Sequence, residues 1–155
     1  MLLTESGKFE PEFAFSHASP KTSSTMIMIE TSSGHSLSLS PGHYIPVGSP
    51  SSLKPAREVA KFDHLFLAAA HNVTVVTSVT VQDELGIYAP HTPSGLISAG
   101  GIVSSCYTES LSLTFSTEAL GVLHRLISTF PLGATVSSLL SSSSTFYSFI
   151  TSFIL

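Results

Sequence analysis

Gly34-His35-Ser36-Leu37-Ser38-Leu39-Ser40-Pro41-Gly42-His43-Tyr44-Ile45-Pro46-Val47 is the stretch that decides the fold. Leu37 and Leu39 alternate with Ser36, Ser38 and Ser40, the two-residue period of a half-buried strand. Pro41 and Gly42 stop that strand, because proline cannot donate to a ladder and glycine accepts tight turns. His43 follows at once, and Tyr44, Ile45 and Val47 begin a second apolar run. A hydroxyl, Ser40, and an imidazole, His43, therefore flank one turn at the edge of an apolar core.

Working outward, Met26-Ile27-Met28-Ile29-Glu30-Thr31 is a short apolar run bounded by serine and glycine clusters, and reads as a buried strand. Ser32-Ser33-Gly34-His35 connects it to residues 36–40, so residues 26–40 form a hairpin. Upstream, Phe9, Phe13 and Phe15 predict an extended segment that ends in a turn-rich stretch, Ser16-His17-Ala18-Ser19-Pro20. Downstream, Gly48 to Pro55 reads as a loop. Val73 to Val81, rich in valine and threonine, predicts a strand with a bulge at Val75-Val76. Gln82 to Gly86 predicts a turn, and Gly86 to Tyr107 at least two more short strands. Asn72-Val73-Thr74 is a glycosylation sequon only in a secreted chain; an ordinary strand start is the preferred reading. Many short strands with glycine and proline turns imply an all-β fold.

After Glu109 the pattern changes. Ser116-Thr117-Glu118 offers a helix N-cap, and Ala119, Leu120, Leu123, Leu126 and Ile127 share one helical face. A helix is expected over 116–130, with Pro131 and Gly133 ending it. Residues 131–155 form a serine-rich apolar tail, and no formal charge occurs from Ile127 to Leu155. No uninterrupted apolar span approaches the roughly 20 residues that cross a bilayer. The tail reads as membrane-associated, as loosely docked or partly disordered, or as sequence with no selected role.

Bulk properties bound the function. A chain of 155 residues is one domain by length. It is 43% hydrophobic and only 10% charged, so it can bury a core. Net charge −4 with six Lys plus Arg argues against nucleic acid, which demands clustered cations. The single cysteine, Cys106, excludes an internal disulfide and a cysteine-rich zinc site. No cofactor or metal is expected, and His35, His64, His71, His91 and His124 read as surface or structural histidines. Met1-Leu2-Leu3 runs straight into Thr4-Glu5-Ser6, with no apolar core of a signal peptide. Either the protein is cytosolic or its true start lies upstream.

Two blocks carry a family resemblance. Ser40-Pro41-Gly42-His43, preceded by an alternating strand, resembles the Thr-x-x-His block of Hint domains, the autoprocessing fold of inteins and hedgehog C-terminal regions. Residues 86–107, Gly-Ile-Tyr-Ala-Pro-His-Thr-Pro-Ser-Gly-Leu-Ile-Ser-Ala-Gly-Gly-Ile-Val-Ser-Ser-Cys-Tyr, resemble the hedgehog-type ending, in which Ala-Pro-x-Thr leads through a glycine to Ser-Cys-Tyr. The resemblance covers roughly Phe9 to Tyr107. It implies a Hint-like β domain over 9–115, incomplete at the front, with 1–8 a disordered or truncated leader.

In such domains a first-residue cysteine attacks the preceding carbonyl and converts the amide to a thioester. The resemblance makes His43 the proton donor to the departing nitrogen and Ser40 the hydroxyl that orients the peptide. Serine lacks the methyl that restricts a threonine rotamer, so weaker preorganisation is expected. Cys106 matches the cysteine of the Ser-Cys-Tyr strand near the reaction centre; read alone it is a small buried apolar residue. Hedgehog-type members resolve the thioester with a sterol hydroxyl and an aspartate base. His17 stands at the aspartate position here, either as a base for a sterol, another hydroxyl or water, or as an exposed turn histidine. Val59-Ala60-Lys61-Phe62-Asp63 departs from the family's Val-x-x-Gly-Asp at Phe62, a costly residue if that position needs positive φ.

Nothing before Phe9 holds a cysteine, so the chain is expected to lack the attacking thiol and not to cleave itself. Its implied partner is its own N-terminal precursor segment, in the secretory pathway if a longer form exists. Two other readings compete. One is a non-catalytic β module whose apolar tail binds a membrane or a partner. The other, poorer, is a thiol hydrolase using Cys106, which lies in an apolar strand rather than an electropositive pocket.

Overall fold

The computed structural model describes residues 2–3, 8–10, 12, 14–68 and 72–109. Ten strands follow in chain order: β1 (Leu2–Leu3), β2 (Phe9–Glu10), β3 (Ala14–Thr31), β4 (Ser36–Leu39), β5 (Tyr44–Pro46), β6 (Leu53–Pro55), β7 (His64–Phe66), β8 (Val73–His91), β9 (Leu96–Ala99) and β10 (Ile102–Ser105). One 3-10 turn, Ala56–Glu58, sits between β6 and β7. The fold is all-β, as the strand periods imply. The expected helix at 116–130 and the tail at 131–155 lie outside the described residues. Among the described residues no helix is long and apolar enough to cross a membrane.

A four-stranded antiparallel sheet, ordered β4-β3-β8-β7, forms the body, and the pairs β9–β10, β5–β6 and β1–β2 attach to it. The 26–40 hairpin forms as its pattern dictates, with Ile27 opposite Leu39 and Ile29 opposite Leu37. These four residues bury one face. Ile45, Val47, Ala56, Val59, Leu65, Val76 and Ile102 close over it. Ile29, Ile45, Leu65 and Ile102 have no exposed surface, so each contributes about 1.5–3 kcal/mol of burial.

Four local expectations change: the last residues of the loop expected at 48–55, Leu53–Pro55, form β6 and pair with β5, and three more follow. The turns predicted at 16–20 and 82–86 are both interior to long strands. β3 and β8 pair from Ala14↔His91 to Thr31↔Val76 as one ribbon. The turn-forming residues are absorbed in a bulge: Ser19 pairs with Ile87 and Ser23 with Leu85, so Pro20, Lys21 and Thr22 face Gly86 alone. Gly86 takes φ +95 there, and a proline inside a bulge loses no ladder bond. The bulge expected at Val75-Val76 lies one residue later. Glu30 pairs with Ser78 and Thr31 with Val76, leaving Thr77 extra, and the Thr77 hydroxyl donates to the Glu30 carbonyl at 3.1 Å.

Phe62 has φ +78, alone among the described non-glycine residues in being positive. Val76 and Asp63 hold the turn in place: the Phe62 N–H donates to the Val76 carbonyl at 2.9 Å, and Val76 N–H returns to Asp63 at 2.9 Å. Burial pushes the Asp63 carboxyl up, but the Lys54 ammonium and the Ala60 N–H outweigh it and hold it below the usual carboxylate range. The phenyl ring is mostly exposed and so gives little burial in return. Phe62→Gly is expected to stabilise the fold by about 0.5–1 kcal/mol, the left-handed strain less the entropy of glycine. Urea unfolding of the two chains measures the difference.

Candidate functional site

The Ser40–His43 turn is built by its own backbone. The His43 N–H donates to the Ser40 carbonyl at 3.0 Å, and Pro41 fixes φ inside the turn. Two segments grip it. On one, Ala56 N–H donates to the His43 carbonyl at 2.8 Å and Arg57 N–H to the Pro41 carbonyl at 3.0 Å. On the other, Tyr44 N–H donates to Tyr107 at 3.0 Å and Glu109 N–H to Gly42 at 2.9 Å, with His43 bridged to Thr108. The Ser105 hydroxyl adds a bond to the Tyr44 carbonyl at 2.9 Å.

His43 is buried, and its Nε2 lies 2.8 Å from the Ser105 carbonyl oxygen. A carbonyl only accepts, so Nε2 carries the proton and Nδ1 is left as the acceptor. Burial pushes the His43 pKa below the ordinary histidine value, partly offset by the Ser105 carbonyl, which favours the cation. At neutral pH the ring is neutral, with a defined tautomer.

Cys106 follows directly after Ser105 and is buried. The turn at 92–95 wraps it: Gly95 N–H donates to the Thr92 carbonyl at 3.0 Å, and Cys106 N–H to the Gly95 carbonyl at 2.8 Å. The Thr92 hydroxyl donates to the Leu96 carbonyl at 3.0 Å and lies 3.6 Å from Cys106 Sγ. Gly95, at φ +73, is packed so closely that a Cβ would stand 2.8 Å from the Tyr107 ring. Burial pushes the Cys106 thiol up, more than Thr92 draws it down, so it stays protonated at neutral pH.

Ser40, His43 and Cys106 line one cavity of about 430 Å³. The two motif blocks, about sixty residues apart in sequence, therefore meet in space. His17 is different. Its backbone pairs with Ala89, itself a cavity-lining residue, while its side chain lies outside the described part.

His91, which the sequence left as a surface or a structural histidine, is buried. It ends β8, is 1% exposed, and lines the same cavity. Its ring centre is 6.2 Å from that of Tyr107. Burial, and then the nearby His43, pull its pKa down to about 4. Thr92, beside it, reaches the site through Cys106, whose Sγ lies 3.6 Å from its hydroxyl. Its signal was present in the Ala89-Pro90-His91-Thr92 block; His91 carried none, since a lone histidine between proline and threonine has no period to mark a buried face. Among the described residues no group of three or more His, Cys, Asp or Glu side chains is arranged to hold a metal ion.

Comparison with known proteins places this geometry in a family. The Hint module family model matches residues 5–151, and the chain belongs to that family. It is an autoprocessing-type module. The chain is 30% identical over 119 residues to Warthog protein 6 of Caenorhabditis elegans, covering 69% of this chain and 20% of that protein. It is 28% identical over 121 residues to Protein qua-1 of the same organism, covering 65% of this chain and 10% of that protein. The chain thus spans a fifth or less of the length of these relatives. Among solved structures it resembles the Msm DnaB1 intein splicing domain bound with zinc, with TM-score 0.53 and 15% identity over 66% of this chain and 79% of that one. The gp41-1 intein gives TM-score 0.50 and 14% identity over 57% of this chain and 69% of that one. At such identities the likeness shows the fold.

Proposed function

We propose that the cavity activates a peptide carbonyl for cysteine-dependent acyl transfer, with His43 carrying the proton and Ser40 orienting the peptide. The observation that supports this most is the fixed His43 tautomer. Nε2–H is committed to Ser105, so Nδ1 is the nitrogen that exchanges a proton with a bound peptide. An attacking thiol adds its sulfur to the carbonyl carbon and gives its proton to Nδ1. The carbon–nitrogen bond then breaks as the imidazolium returns that proton to the departing nitrogen, leaving a thioester and an amine. A neutral resting imidazole of lowered pKa suits both halves of this transfer, because it accepts the proton only transiently and releases it readily.

Cys106 is a poor candidate for the attacking thiol. It is buried, protonated and turned into the Thr92 loop. It is also the sole cysteine of the 155 residues. On this reading the attacking thiol is one other than Cys106, supplied from outside these 155 residues, and the acceptor that resolves the thioester is water or a hydroxyl compound. His17, on the strand next to Ala89, is the residue to assist that second step. Residues 1–155 alone are expected to give no self-cleavage product. Mass spectrometry of the purified chain, incubated with and without dithiothreitol, checks this; a discrete fragment that disappears in His43→Ala would mean that a nucleophile inside the chain suffices.

A further inference from the structure

The turn bearing His43 lies between two segments that are far apart in sequence. One carries Arg57, the other Glu109. Their side chains meet across the turn: Arg57 Nη2 donates to Glu109 Oε1 at 2.6 Å, and Nη1 pairs with Oε2. Such a two-bond pairing of guanidinium and carboxylate fixes orientation as well as distance. Both residues are also tied to the turn through their backbones, Arg57 to the Pro41 carbonyl and Glu109 to the Gly42 carbonyl. Arg57, Pro41-Gly42 and Glu109 therefore close a ring around the turn.

Gly42 makes room for that ring. A Cβ there would stand 3.0 Å from Glu109 Oε2. Four residues before Glu109 lies Ser105, whose carbonyl holds His43 Nε2. Between them Tyr107 and Thr108 pair with Tyr44 and His43. The segment 105–109 is thus one short strap. Its first residue sets the histidine tautomer, and its last is anchored by Arg57.

We propose that Arg57 and Glu109 are positioning residues, a clasp that holds the 105–109 strap against the turn and so keeps His43 Nε2 on the Ser105 carbonyl. The clasp leaves Nδ1 as the ring nitrogen that meets a bound peptide. Its use in catalysis rests on the proposed role of His43, but the clasp itself is readable without any reaction. Glu109 also lines the cavity, so the clasp forms part of its wall.

The test is nitrogen-15 NMR of the imidazole rings in the full 155-residue chain, with the His43 signal assigned by its absence in His43→Gln. The native chain is expected to show the Nε2–H tautomer of His43 with a slowly exchanging ring proton. In Arg57→Gln and in Glu109→Gln that proton is expected to exchange about fivefold faster, as loss of one well-oriented ion pair allows. The charge-swapped double variant, Arg57→Glu with Glu109→Arg, is expected to restore slow exchange. General destabilisation of the strap would not be rescued by the swap. Unchanged exchange in both single variants, or no recovery in the double variant, overturns the clasp. The two readings fail separately: peptide cleavage independent of His43 would remove the proposed function, while the coupling of the clasp to the tautomer would stand.

Discussion

Lowering the pH from 6.5 to 4 is expected to cost the native chain about 3 kcal/mol through His91 alone. The ordinary histidine pKa is 6.5, and burial holds that of His91 at about 4 in the folded state. Between those values the unfolded chain binds a proton that the folded chain does not, so stability falls as pH falls. The contribution is fully present above 6.5 and is lost on the way down to 4. His43, also depressed by burial, acts in the same direction. The depressed carboxylates Asp63, Glu84 and Glu109 lose their contribution lower, as the pH drops below the ordinary range near 4 to 4.5. The histidine window is therefore separate. His91→Leu keeps an apolar side chain of similar size in the cavity wall and removes the titration. Urea unfolding at pH 7, 5.5 and 4.5 should show a steep loss in the native chain and a much flatter one in the variant. Equal slopes would mean that His91 is not held neutral by burial.

Gly100→Ala is expected to cost at least about 3 kcal/mol, from a backbone clash added to left-handed strain. Gly100 has φ +57, and its Cβ would fall 1.9 Å from the Ser36 carbonyl oxygen. That oxygen belongs to the β3–β4 hairpin and cannot swing away as a side-chain tip would. Gly34→Ala is the comparison: its φ is +80, but the added Cβ meets open space. It should cost only the conformational strain, about 1–2 kcal/mol. Thermal unfolding of both variants separates the two terms. A Gly100 variant no worse than the Gly34 variant would mean that the β9–β10 turn does not press on β4. The site shares the consequence, because β10 ends on Ser105 and leads directly into Cys106.

Local periodicity made the core strands legible. Leu37 and Leu39 had to share a face, and Ile27 and Ile29 had to meet them across a two-residue register. Punctuation misled where it paired with itself. Pro20 and Gly86 each read as a turn, yet they face one another in a bulge, which only knowledge of strand pairing reveals. Phe62 ran the other way. Its departure from glycine pointed to positive φ, and the backbone adopts it. Ser40, His43 and Cys106 stood out because their neighbours resemble two family blocks, and all three line one cavity. His91 did not, because burial at the end of a strand depends on what folds over it, here Tyr107 and the His43 turn.

Proton transfer through His43 is the claim on which the functional account depends, and one rate measures it. A reporter protein is joined ahead of residue 1 through a Gly-Cys junction, and thiol-induced cleavage at that junction is followed by gel and mass spectrometry. Cleavage is expected with His43 present, with a loss of about 100-fold or more in His43→Ala, the usual worth of a positioned acid or base. Equal rates with and without the imidazole, or no cleavage when the thiol is supplied, would contradict proton transfer through His43.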